Sequence, residues 1–143
     1  LIAMRHIDPS RIVLYGAELG SAVAVHVAQQ SPRIAGVILE NPQPSLAKEV
    51  KREQHIHVLP MWLIFSERFD ISRIVPSLKM PKLVIVTPTK PEYETGAATV
   101  YDQAVTPKQK VQVDAGNAMP VYAQPTWQKA MQSFLNSIAV QSH

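Results

Sequence analysis

Four short apolar runs recur along the chain, and stretches with helical spacing lie between them. The apolar runs cover residues 11–15, 34–39, 82–86 and 109–113. The stretches with apolar residues at helical intervals cover residues 19–30, 92–104 and 125–138. Continuous apolar strands that alternate with amphipathic helices predict an α/β fold, in which helices cover both faces of a parallel sheet.

The first and last helices carry the clearest predicted packing faces. In the helix at 19–30 we expect Val23, Val27 and the small residues Ala22 and Ala24 to form a close-packing face. Pro32 ends this helix because proline cannot donate the next backbone hydrogen bond. The last helix presents a core-facing stripe made of Trp127, Met131, Phe134, Leu135 and Ile138.

Composition limits the classes of partner and compartment. The 143 residues, 46% of them hydrophobic, are enough for one domain with a substantial core. The net charge of +3 comes from scattered cations, and the one cluster, at 48–52, is diluted by acidic residues, so no nucleic-acid partner is expected. No apolar run approaches the length of a transmembrane helix and no targeting segment is visible, which predicts a soluble protein of undetermined compartment.

A glycine-flanked turn joins the first strand to the first helix. Residues 11–22 read RIVLYGAELGSA, so Gly16 and Gly20 bracket Glu18. This is the layout of a nucleophile elbow, G-x-S-x-G, with glutamate at the serine position. We expect both glycines to be required because a Cβ at either position would collide with the neighbouring strand or helix. The amide of Leu19 would then correspond to one donor of an oxyanion hole.

Several further segments share the order and spacing of a known family. They are IDPSRI at 7–12, VILENP at 37–42, ERFD at 67–70 and MPKLVI at 80–85. With the elbow, they resemble the branch of the α/β-hydrolase fold that contains Bem46-type serine hydrolases and related thioesterases and peptidases. The resemblance implies the C-terminal half of that fold, as a single partial domain over residues 1–143. It also implies a cap-like insert at about 45–80, over the carboxyl ends of the strands.

The resemblance implies a Ser, Asp, His triad in chain order, and this chain departs from it three times. Glu18 stands at the serine position. The turn after the third strand reads VTPTKP, which puts Lys90 or Pro91 where an aspartate is expected. The loop after the fourth strand reads DAGNA, with Asn117 nearest the place of the histidine. No catalytic residue is therefore expected at Glu18, Lys90 or Asn117.

The leading hypothesis is a catalytically inactive pseudo-hydrolase that acts as a structural, accessory or interaction subunit. One alternative is an active esterase, thioesterase or peptidase whose triad is rebuilt from Glu18, Glu92 and a histidine from outside the chain. His26 is too far from Glu18 to serve as its base, since it lies two turns along the helix. Another alternative is a small-molecule binding module that uses the old substrate pocket beneath the insert.

No cofactor and no metal site are expected. Glu53, His55 and His57 form an E-x-H-x-H pattern, but two histidines at this spacing share a direction only on a strand, and a third ligand is not evident. A pair of surface histidines is the favoured interpretation. The apolar run at 61–65 suits a pocket lining, although packing in the core or at an interface is favoured.

The first strand is predicted to need a partner. The elbow strand is normally central in the fold that this chain resembles, whereas here no earlier strand precedes it. Residues 11–15 are nearly all apolar and lack the prolines and inward charges that protect an open edge. We therefore expect this strand to pair with a missing N-terminal half or with a protein partner.

Overall fold

The four predicted strands form one parallel sheet in the order β1-β2-β3-β4. The computed structural model describes residues 7–45, 70–114 and 119–141. The strands are β1 (Val13–Ala17), β2 (Gly36–Glu40), β3 (Lys82–Val86) and β4 (Lys108–Gln112). Each strand begins and ends within two residues of its predicted bounds, which confirms the parallel sheet.

Helices connect the strands and extend beyond the last one. They are α1 (Leu19–Gln30), α2 (Ile71–Ile74), α3 (Pro91–Gln103) and α4 (Pro125–Gln141). Short 3-10 turns occupy Pro9–Arg11, Val75–Ser77 and Val121–Ala123. The three predicted helices are confirmed. In the described part of the chain, none of the helices has the length and apolar content needed to cross a membrane.

Alternate residues of the strands face different helices. Val37 and Leu39 of β2 are buried with residues of α1 and α2 on one face of the sheet. Ile38 lies on the opposite face, in a cluster with Phe134 and Ile138 of α4. The two faces are therefore both covered, as the continuous apolar strands predict.

The described end of the insert, residues 70–80, packs along the sheet. Asp70 caps α2 by accepting the amide of Ser72 at 3.0 Å, and the same amide donates to the carbonyl of Pro44, beyond the carboxyl end of β2, at 3.2 Å. The segment then runs past buried Leu78 to the amino end of β3, which makes it a crossover connection. The predicted cover over the carboxyl ends would have to come from residues 46–69, which lie outside the described residues.

The predicted packing face of α1 is wrong for its two valines. Ala22 and Ala24 are buried, but Val23 and Val27 are 54% and 39% exposed. The buried side of α1 is centred on Ser21 and on other small residues, which let the helix lie close to the sheet. Among the described residues, Val23 and Val27 therefore face away from the core.

Candidate functional site: the elbow after the first strand

The elbow holds its central residue in a strained backbone conformation. Glu18 has φ 49° and ψ −115°, a region that glycine adopts readily and that other residues rarely enter. The Glu18 amide donates to the carbonyl of Glu40 at 2.8 Å, and its carbonyl accepts the amide of Ser21 at 3.0 Å. The Ser21 hydroxyl donates to the carbonyl of Gly16 at 2.9 Å. These bonds tie the turn to β2 and to the first turn of α1, so the strain is held in place from both sides.

The two elbow glycines differ in what they contribute. A Cβ on Gly16 would lie 2.6 Å from the carbonyl carbon of Gly20 and 2.8 Å from the Cα of Ser21, and both are backbone atoms that cannot move aside. A Cβ on Gly20 would meet no heavy atom of the described residues within 4 Å. The predicted steric requirement therefore fits Gly16 and is wrong for Gly20, because the latter faces open space in this part of the chain.

The side chain of Glu18 lies beside Tyr93 and Lys90. Burial raises the pKa of Tyr93. The hydrogen bond with Lys90 opposes this rise, and the hydrogen bond with Glu18 adds to it. The hydrogen bond between Lys90 and Tyr93 raises the pKa of the ammonium group, and the charge of Glu18 adds to this effect. The Lys90 Nζ also lies 5.0 Å from the centre of the Tyr93 ring. The elbow carboxylate is thus surrounded by two groups that hold their protons at neutral pH.

Lys90 and Leu19, two residues predicted to take triad and oxyanion positions, lie at the same end of the sheet as Glu18. Lys90 is the residue before α3, whose first turn carries Glu92 and Glu94. Leu19 is the first residue of α1, so its amide has no acceptor within the helix. Asn117 lies outside the described residues.

His26 lies far from the elbow along α1. One of its ring nitrogens is 2.9 Å from the Nε2 of Gln30, one turn further from Glu18. Eight residues of helix correspond to about 12 Å along the axis, beyond the reach of a direct proton transfer. His55 and His57 lie outside the described residues. Within the described ranges, no group of three histidine, aspartate or glutamate side chains is arranged to hold a metal ion.

A buried clasp joins the carboxyl ends of β2 and β3. Asn41 has φ 46° and follows β2, and its amide nitrogen donates to the hydroxyl of Thr87 at 2.7 Å. The backbone amide of Thr87 donates in return to the side-chain oxygen of Asn41 at 2.8 Å. Sequence analysis missed this pair, although both residues directly follow neighbouring parallel strands. Because the carboxyl ends of neighbouring parallel strands lie side by side, the position of these two residues could have predicted the contact.

A second polar contact links β1, β2 and α4. The hydroxyl of Tyr15 donates to the Oε2 of Glu40 at 2.6 Å, and the indole nitrogen of Trp127 donates to the same oxygen at 3.1 Å. Burial raises the pKa of Tyr15 and its bond to Glu40 raises it further. The contact fixes the N-terminal part of α4 over the carboxyl ends of the first two strands.

The chain is similar to uncharacterized mycobacterial proteins. It is 35% identical over 79 residues to a protein of Mycobacterium tuberculosis strain CDC 1551 / Oshkosh, and equally to one of strain ATCC 25618 / H37Rv. The matched region covers 55% of this chain and only 27% of each relative. No family model matches the sequence.

Solved structures that resemble the chain include several esterases. The esterase domain of a Rhodothermus marinus protein superposes with a TM-score of 0.65 at 21% identity, over 96% of this chain and 62% of that domain. The acetyl xylan esterase of Paenibacillus sp. R4 gives 0.66 at 16% identity, over 94% of this chain and 48% of the esterase. An alpha-beta hydrolase of Vibrio vulnificus superposes with a TM-score of 0.60 at 18% identity, over 98% of this chain and 51% of that hydrolase. The chain therefore has the α/β-hydrolase fold and spans about half to two thirds of the length of these enzymes.

Proposed function

We propose that this α/β-hydrolase-like protein is catalytically inactive and serves as a structural or accessory component. The observation that carries the proposal is the surroundings of Glu18. Hydrolysis through a carboxylate ester needs a base that accepts a proton from water. The two groups nearest to Glu18, the Lys90 ammonium group and the Tyr93 hydroxyl, both carry their protons at neutral pH, so neither can accept that proton.

The charge of Glu18 has a structural explanation that requires no chemistry. The carboxylate lies at the N-terminus of α1, where the helix dipole and free amides favour negative charge. The Lys90 ammonium group and the Tyr93 hydroxyl lie near this carboxylate. A glutamate at this position is therefore accounted for without a catalytic role.

The proposal predicts that restoring the hydroxyl does not restore hydrolysis. We expect neither the wild-type protein nor Glu18→Ser to hydrolyse p-nitrophenyl acetate or acetylated xylan above background, and neither to react with a serine-directed fluorophosphonate. The reason is that Lys90 or Pro91 stands where the resemblance implies the acid, and no histidine lies next to residue 18 among the described residues. The assay is run on the purified 143-residue chain.

The opposite result would identify a rebuilt active site. Turnover by the wild-type protein that is abolished in Glu18→Gln and retained in Glu94→Gln would contradict the proposal. Glu94 is the matched control because it is an exposed carboxylate in the first turn of α3. A small molecule that co-purifies with the protein and is detected by native mass spectrometry would instead favour a binding module.

A further inference from the structure

The strand β4 is an edge of the sheet, and its pairing with β3 decides which of its backbone groups face outward. The amide of Lys82 donates to the carbonyl of Pro107 at 3.1 Å, and the amide of Val113 donates to the carbonyl of Val86 at 2.8 Å. Along a parallel strand, the backbone groups of successive residues point to opposite neighbours, so the odd-numbered residues of this segment face β3. In the described part of the chain, no strand covers the other side. The groups that face this open edge belong to Lys108, Lys110 and Gln112.

Two lysines of this edge lie against the C-terminal end of α3. The ammonium groups of Lys108 and Lys110 lie 4.5 and 5.2 Å from the centre of the Tyr101 ring. Lys108 also donates to the carbonyl of Tyr101 at 2.7 Å, where a cation interacts favourably with the end of the helix. Lys108 therefore has a structural role in the helix end, whereas Lys110 stays exposed at the edge.

The positive charge at this edge is not balanced by carboxylates of the described residues. Lys108 contacts Asp102 through the backbone carbonyl of that residue, at 3.4 Å, and neither Lys108 nor Lys110 forms an ion pair within this part of the chain. A third cation, Lys82, lies opposite Lys108 in the ladder. Burial lowers the pKa of Lys82 to about 8, and the charge of Lys108 contributes to this effect. Cations that lie this close without a carboxylate favour an anionic partner.

The lysines also restrict which strand could pair with the edge. Lysine on an edge strand commonly prevents pairing between copies of one protein. That explanation applies to a second copy of this chain, because pairing β4 with itself would bring the lysines of both copies into one short ladder. The same charges attract a strand that carries carboxylates at alternate positions, so they favour a partner of different and acidic sequence.

We propose that β4 is a docking edge for an extended acidic segment of a partner protein. The segment adds to the sheet as a further strand, and its carboxylates lie opposite Lys108 and Lys110, since side chains directly opposite one another share a face of the sheet. Its alternate residues lie on the other face, beside partly buried Val111, where apolar side chains fit. The proposal names a class of partner for the accessory component, and it rests on the proposed function only for the role that this complex serves.

Binding of synthetic peptides to the 143-residue chain tests the charge requirement. The probe alternates glutamate and valine over about seven residues, a usual strand length, and two control peptides carry glutamine or lysine in place of glutamate. The Kd of the glutamate peptide should be at least about 5-fold lower than that of the glutamine peptide, since each exposed ion pair contributes modestly. Sodium chloride should increase the first Kd and leave the second unchanged. Fluorescence anisotropy of labelled peptides measures both constants.

Amide hydrogen exchange followed by NMR locates the bound peptide. In the free protein, the amides of Lys108, Lys110 and Gln112 should exchange rapidly, whereas those of Gln109 and Val111, which face β3, should be protected. Saturating glutamate peptide should slow exchange at Lys110 by at least about 10-fold, because this amide then donates to the peptide backbone. Unchanged exchange along β4 with the peptide bound would place binding elsewhere and overturn the proposal.

Two matched variants separate the edge from the net charge. Lys110→Glu and Lys129→Glu change the net charge equally and both lysines are exposed, but Lys129 lies in α4. Lys110→Glu should increase the Kd of the glutamate peptide at least about 5-fold and decrease that of the lysine peptide. Lys129→Glu should change neither by more than about 2-fold. Circular dichroism checks that both variants fold; if Lys110→Glu does not, Lys110→Gln replaces it and should increase the Kd about 2-fold.

Several results would contradict the docking edge. These are equal Kd values for the glutamate and glutamine peptides, equal effects of the two variants, and a discrete dimer in which the Lys110 amide is already protected. Binding to phosphatidylserine vesicles that depends on Lys110 and is not displaced by the glutamate peptide would assign these lysines to anionic lipid instead. Hydrolytic activity would contradict the proposed function and leave the peptide result standing, so the two failures are distinguishable.

Discussion

Replacing Glu18 with glycine should make the protein more stable than replacing it with alanine. Both substitutions remove the carboxylate and its contacts with Tyr93 and Lys90, so they differ only in the Cβ. At φ 49° and ψ −115°, that Cβ forces the backbone into a region that L-residues rarely adopt. Glycine enters the same region without strain because it lacks the Cβ.

The magnitude follows from two opposing effects. A non-glycine residue held in such a region is strained by about 1–3 kcal/mol. Glycine has more freedom in the unfolded chain, which offsets about 0.5–1 kcal/mol of the gain. The net difference between Glu18→Gly and Glu18→Ala should be about 1 kcal/mol, or about 3–4 °C in Tm for a chain of this size.

Urea denaturation followed by circular dichroism measures the difference, provided that both variants unfold in a single cooperative transition. The urea concentration at the midpoint should be higher for Glu18→Gly than for Glu18→Ala. The dependence of the unfolding free energy on urea concentration should be the same for both variants. Equal midpoints would refute the argument that the elbow stores backbone strain. A lower midpoint for Glu18→Gly would show that the freedom of glycine in the unfolded chain outweighs the strain in the turn.

Three further predictions concern other positions and use the same unfolding assay. Gly16→Ala should destabilise by about 1–3 kcal/mol because its Cβ would meet backbone atoms, whereas Gly20→Ala should be neutral or stabilising; equal losses would contradict the distances. Asn41→Gly should destabilise the protein by about 1–3 kcal/mol because it removes two buried hydrogen bonds to Thr87. Glycine would relieve backbone strain at the φ of 46°, so a gain in stability would show that this strain outweighs the two hydrogen bonds. Burial, with a smaller contribution from the charge of Lys108, lowers the pKa of Lys82 to about 8. Above this pH the unfolded chain binds more protons than the folded chain, so the free energy of unfolding should increase between pH 8 and 10. In Lys82→Met this dependence of the unfolding free energy on pH should disappear.

Much of the fold follows from local pattern. The apolar runs at 82–86 and 34–39 are buried on both sides, and continuous apolar character of that length is the property of a strand inside a parallel sheet. The order of strands and helices then leaves few possible topologies, since parallel strands require crossover connections. The elbow was equally visible, because two glycines around a strand-to-helix turn are a local signal.

Contacts between distant residues required the tertiary structure. Tyr93 gave no signal in the sequence, because its position beside Glu18 depends on how α3 packs above β3. The same holds for Lys82, the lysine that begins the apolar run at 82–86. Its side chain is 1% exposed, and its ammonium group donates to the carbonyls of Leu78 and Met80 at 2.7 and 2.6 Å. Periodicity reports the average environment of a strand and cannot identify where a buried charge finds its acceptors.

The clearest division between the two sources lies in α1. The sequence alone determined that residues 19–30 form a helix, since its spacing and the following proline are local properties. It did not determine which apolar residues are buried, and Val23 and Val27 proved to be exposed. Which side of a helix is covered depends on the elements that surround it, and within the described residues α1 packs against β1, β2 and α2. The position of β1, by contrast, followed from the order of elements along the chain, and it is an edge strand of the sheet that the described residues form.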